Sequence, residues 1–139
     1  MKPLIRYYFP AFLWAALIFS LSSIPRLTPP PVGIKLSDKV YHFIEFAIFG
    51  LFLIRAFRHL FITIRPRTAI LWAVLCGVLW GILDEVHQLF VSGREASLWD
   101  ALADATGVIV VAAVAWWWSL TKGFPEDVEE RSADQRRIS

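Results

Sequence analysis

Four apolar stretches, roughly residues 7–24, 40–57, 69–91 and 98–120, divide the chain into segments of nearly equal weight. A helix needs about 20 residues to cross a hydrocarbon core of roughly 30 Å. The third and fourth stretches meet that length, and the first and second sit at its lower edge. The chain has 139 residues, 57% of them hydrophobic, with 7 Trp and 11 Phe. A water-soluble domain of this size has too little polar surface to cover so much apolar side chain. The expected fold is an all-α membrane protein, a four-transmembrane-helix bundle over residues 1–121. The first stretch also admits a signal-peptide reading, with Lys2 and Arg6 as a charged start and Ser20 and Ser22 before a cut. Four retained spans are the working expectation.

Four spans put both termini and the Arg55–Arg67 loop on one side, and the loops at 25–39 and 92–97 on the other. The first side holds Lys2, Arg6, Arg55, Arg58, Arg65, Arg67, Lys122, Arg131, Arg136 and Arg137, against Arg26, Lys35, Lys39 and Arg94. The positive-inside rule makes the termini cytoplasmic. Trp116, Trp117 and Trp118, followed by Lys122, fit an interfacial anchor there. Residues 122–139 are charged and almost without apolar side chains, as expected of a disordered cytoplasmic tail. The prolines of TPPPV, residues 28–32, forbid helix in the first external loop. Net charge is only +2 and the basic residues are scattered, so nucleic acid is not an expected partner. A lone Cys76 cannot form an internal disulfide.

The third stretch ends in WGILDEVHQLF, residues 80–90, with Asp84, Glu85, His87 and Gln88 in its last turns. Ionisable groups inside a membrane span are costly, and each is a functional-site hypothesis by default. The second span enters, the third ends and the fourth begins on the same side, so their polar ends lie at one depth. Asp38, His42 and Glu45 share one face of the second helix at spacing i, i+4, i+7. Gly77, Gly81, Asp84 and Gln88 form a stripe on the third, flanked by Glu85 and His87. Asp100 and Asp104 share a face of the fourth with Ser97 and Gly107. Three helices thus aim carboxylates, imidazoles and an amide at an outward-facing polar cup, which Arg94 and Glu95 border.

Gly77-x-x-x-Gly81 is a small-residue motif that lets membrane helices approach closely. Ordinary packing inside the bundle and a homo-oligomer seam both use such a stripe. Ser97 with Asp100 reads as a capping box at the start of the fourth helix, which gives Asp100 a structural role beside a site role. Arg94 is the one positive charge in the short loop, so it either clamps helix ends by pairing internally or grips an anionic group of a ligand. The acidic groups nearby outnumber the basic ones, so they must share protons, pair with Arg94 or a histidine, or bind a cation. A divalent metal would find candidate ligands in His42, His87 and Asp84.

The strings DKVYHFIEFAIFG, residues 38–50, and GILDEVHQLFVSGREASLWDALADATG, residues 81–107, resemble the VanZ-like family. That family is named for an accessory protein of glycopeptide-resistance clusters associated with lowered teicoplanin susceptibility. The matching positions are Asp38, Lys39, His42, Glu45, Asp84, Glu85, His87, Gln88, Arg94, Glu95, Asp100 and Gly107. Asp104 departs from the pattern, which more often has an asparagine there. The resemblance implies a multi-pass protein of the bacterial cytoplasmic membrane and a role in the cell envelope, without implying a reaction.

Three functions compete at this point. The cup binds a lipid headgroup, a cell-wall precursor or a glycopeptide; or it is the site of a membrane-embedded hydrolase or transferase acting on an envelope lipid; or it is a structural or proton-handling network. No nucleophile motif supports the second, since D-E-V-H is not H-E-x-x-H. The number of costly groups at one depth favours the first over the third.

Overall fold

A computed structural model describes residues 4–25, 38–60 and 66–121. Among these, a π-helical turn, Leu4–Tyr8, leads into α1 (Phe9–Ser22), followed by α2 (Asp38–Leu60), α3 (Pro66–Gln88) and α4 (Leu98–Thr121). α1 together with its leading turn, and each of α2, α3 and α4 alone, is long and apolar enough to cross a membrane. The TPPPV segment, with Arg26 and Lys35, and the 122–139 tail lie outside the described residues.

Local chemistry explains the helix ends. Pro10 has no N–H to donate back to Arg6, and its ring crowds that carbonyl; the chain before it is wound in the wider π form. α1 closes with the Ser23 and Ile24 N–H groups donating to the Phe19 and Leu21 carbonyls, just ahead of Pro25. Pro66 opens α3, where a missing N–H costs nothing. α3 therefore runs three residues ahead of the expected 69–91 at both ends. Residues 89–91 belong to the turn that follows, in which Gly93 adopts a left-handed φ of 81°. α2 is longer than the expected 40–57, because Asp38, Lys39, Arg58 and His59 extend it beyond its apolar part.

The bundle core is a tight trio of α2, α3 and α4. Ile18 of α1 joins Phe46, Phe49 and Val108 in one buried cluster, and Ile54, Ile70, Ala73 and Ala112 form a second toward the opposite end. Glycines set the spacing. A Cβ on Gly107 would run into the Phe43 carbonyl oxygen and stand 2.9 Å from the Ala47 nitrogen, so α4 crosses α2 backbone to backbone. A Cβ on Gly77 would lie 2.9 Å from both methyls of Val108. The Gly77/Gly81 stripe therefore packs inside the chain, against α4 and Phe46. Of the two uses such a stripe admits, close packing inside the bundle is the one these two glycines serve within the chain.

The outer faces carry the opposite pattern. Phe12, Leu71, Leu75, Leu79, Leu83, Val114 and Trp117 are all exposed. In water a continuous apolar surface of this kind would drive association; in hydrocarbon it is the solvated face. The chain is a multi-pass membrane protein. At the end carrying the start of α1, Tyr7 stacks on His59 at 4.1 Å, the Arg6 and Arg55 guanidiniums lie over the Tyr7 ring, and Arg67 lies over Trp116. Such a belt of aromatic and basic side chains suits a membrane interface.

Candidate functional site

The polar residues gather at the other end, where α1 and α3 finish and α2 and α4 begin. Asp104 is fully buried at the centre, and its Oδ1 lies 2.9 Å from His42 Nδ1. Its Oδ2 meets no hydrogen-bond donor among the described residues and faces Gly81, whose missing side chain leaves it room. Asp84, also buried, accepts a hydrogen bond from the Ser22 hydroxyl at 2.8 Å and another from the Gln88 amide at 3.0 Å. Asp100 is held by Lys39 at 2.7 Å.

Glu85 does the work that the Ser97–Asp100 pattern assigned to Asp100. Its Oε2 accepts the Ser97 backbone N–H at 2.7 Å, which satisfies the first orphan donor of α4 from a neighbouring helix. No side-chain capping box forms. Asp100 is thereby released to pair with Lys39, and α3 is pinned to the start of α4. The pattern read from sequence was local, and a long-range carboxylate displaced it.

His87 falls outside the cup. It points to α1, stacked on Phe19 at 4.4 Å and within 3.0 Å of the Ser23 hydroxyl. Three residues on from Asp84 it is turned by only about 60° from that side chain, and on its side of the stripe the neighbours are Phe19 and Ser23 at the end of α1. Of the expected metal ligands, His42, His87 and Asp84, the structure brings no two together in a metal-capable group. The groups it forms are His42 with Glu85 and Asp104, and His42 with Asp38 and Asp100. Glu95 is exposed in the loop, and it does not line the α1–α2 cavity.

Between α1 and α2 lies a cavity of about 400 Å³, whose polar wall is Ser22, Asp38, His42, Glu45, Gln88 and Arg94. Leu17, Ile44 and Ile48 line its apolar part. Arg94 reaches across from the α3–α4 loop and donates from Nη2 to the Leu21 carbonyl at 3.0 Å. Its Nε is buried without a partner, and it forms no ion pair with a carboxylate among the described residues. Glu45, half-buried on the same wall, makes no side-chain hydrogen bond among them either. Its backbone carbonyl instead accepts the Trp14 indole N–H at 3.0 Å.

α1 is the element that sequence reading left out of the site. Trp14, Leu21 and Ser22 bond Glu45, Arg94 and Asp84 of the cup, and Ser23 holds His87 beside it. The only signal was two serines closing an apolar stretch, a pattern that a signal peptide shares.

A helical membrane bundle with a polar pocket at one end, roofed by a short loop that carries an arginine, defines the class of protein. The VanZ/LLP1 family model matches residues 5–119, and the chain belongs to that family. No curated protein and no solved structure matches the chain significantly.

Proposed function

We propose that the protein binds the anionic head of an envelope amphiphile in the α1–α2 cavity, with Arg94 as the grip. The observation that carries this reading is the guanidinium itself: half-buried, bordering a cavity, and without a carboxylate partner among the described residues despite the acidic groups around it. Guanidinium binds phosphate or carboxylate through paired N–H groups. Glu45, Asp38 and Gln88 supply acceptors and an amide for hydroxyls or amines of the same head. The apolar part of the wall suits the first methylenes of a lipid tail. By the charge bias of the loops, this end faces the outside, where lipid headgroups, cell-wall precursors and glycopeptides are met. Lowered teicoplanin susceptibility follows if occupancy of the cavity alters what the drug can reach.

Arg94→Gln tests the reading. Affinity for anionic lipid in nanodiscs should fall about tenfold or more, the weight of one charged hydrogen-bond pair. Any glycopeptide phenotype in an expressing host should vanish at unchanged membrane protein level. Wild-type binding by this variant would remove the proposal.

A second reading, a hydrolase or transferase acting on an envelope lipid, draws on the His42–Asp104 pair beside the cavity, an arrangement that orients an imidazole for acid–base work. Turnover of a phospholipid by wild type and its loss in His42→Asn would favour it over binding alone.

A further inference from the structure

The buried charges of the cup do not balance. Lys39 answers Asp100 and His42 faces Asp104, but Asp84 and Glu85 contact only neutral donors among the described residues: a serine hydroxyl, a glutamine amide and a backbone N–H. Buried carboxylates are normally paired with a cation or coordinate one. Two of them meet a histidine at one point. His42, Glu85 and Asp104 each offer a ligand atom, and all of these atoms lie within 4.8 Å of one another. They come from α2, α3 and α4, in the manner of metal sites assembled from inward-facing side chains of helix bundles. Asp104, at 0% exposure, still has an oxygen without a donor among the described residues.

We propose that His42, Glu85 and Asp104 bind one divalent transition cation of the Mn²⁺ or Zn²⁺ kind. One imidazole and two carboxylates form a mixed N/O set suited to such ions. The cation supplies positive charge beside Glu85, which bonds no lysine or arginine among the described residues. It also ties α2, α3 and α4 together at their polar ends. Arg94 plays no part in this site, so the proposal stands or falls separately from ligand binding in the α1–α2 cavity.

The test is metal titration of the full chain in nanodiscs, purified without chelator, using Mn²⁺ and Zn²⁺ alone as probes. Wild type should bind one ion per chain, raise its thermal midpoint on loading, and lose affinity at acid pH, because the ligands bind deprotonated. Pulsed electron paramagnetic resonance of the Mn²⁺ form should show one directly bound imidazole nitrogen. Glu85→Gln and Asp104→Asn should weaken binding at least tenfold, whereas His87→Ala and Arg94→Gln should bind as wild type does. Should Asp104→Asn fail to fold, the nitrogen signal of wild type still decides the matter. Absence of saturable one-to-one binding, absence of that nitrogen, or full affinity in Glu85→Gln would overturn the site and leave protons as the balancing charge.

Discussion

The α2–α4 contact and the α1–α2 contact are neighbouring helix pairs held by different physics. α4 meets α2 through Gly107 and Gly50, where backbones touch and the Val108 Cα stands only 3.3 Å from where a Gly50 Cβ would be. α1 meets the rest through a few larger side chains, Ile18 and Trp14 among them, and through polar bonds at its end: Ser22 to Asp84, Ser23 to His87, and Arg94 to the Leu21 carbonyl. On either side of that narrow contact the packing opens. One side is the polar cavity, and the other is an apolar cleft of about 650 Å³ lined by Phe12, Ala16, Phe57, Cys76 and Trp80. In a membrane the hydrophobic effect does not press helices together, so close van der Waals approach and polar bonds must do so. The first holds the trio; the second holds α1.

Three substitutions sharpen this contrast. Gly107→Ala should have the largest effect, because the new methyl meets backbone that cannot turn aside. We expect a loss of about 3 kcal/mol or more, the upper end of overpacking, read as the midpoint of unfolding in mixed detergent micelles. Near wild-type stability would mean that α4 can slide on α2 and that the glycine seam is not the frame of the bundle.

Ser22→Ala should cost about 1 kcal/mol, since Asp84 keeps the Gln88 amide but loses its hydroxyl donor. The more telling readout is local. Cys76, the single cysteine, lines the cleft beneath α1 and should react faster with an apolar maleimide when α1 is less firmly docked. An unchanged labelling rate would show that the apolar contacts of α1 suffice.

Lys39→Gln should be the mildest, below about 1 kcal/mol, because the lysine is half exposed and such ion pairs contribute little. A larger cost would place the Lys39–Asp100 pair among the contacts that hold the trio together.

Much of this architecture was legible along the chain, for reasons that differ by residue. Gly77, Gly81 and Asp84 fall on one face because helical periodicity is local, and that face is the buried one. Asp38, His42 and Glu45 reach one cavity wall for the same reason. His87 was misplaced because periodicity states an angle and not a neighbour: two directions flank the stripe, and only the position of α1 decides that one of them is filled by Phe19. Asp100 was misread because its capping partner, Ser97, is claimed by Glu85 twelve residues earlier in the chain.

The sequence by itself determined the number of spans, their apolar outer faces and the depth at which the polar groups collect, since length and hydropathy in a bilayer leave few alternatives. Tertiary structure alone decided which carboxylate meets which donor. It joined Asp104 to His42, Asp84 to the end of α1, and left Arg94 facing a cavity without an ion pair to a carboxylate among the described residues. Hydrogen bonds are directional and short in range, so these pairings rest on how the helices cross, and the crossings rest on where glycine lets backbones meet.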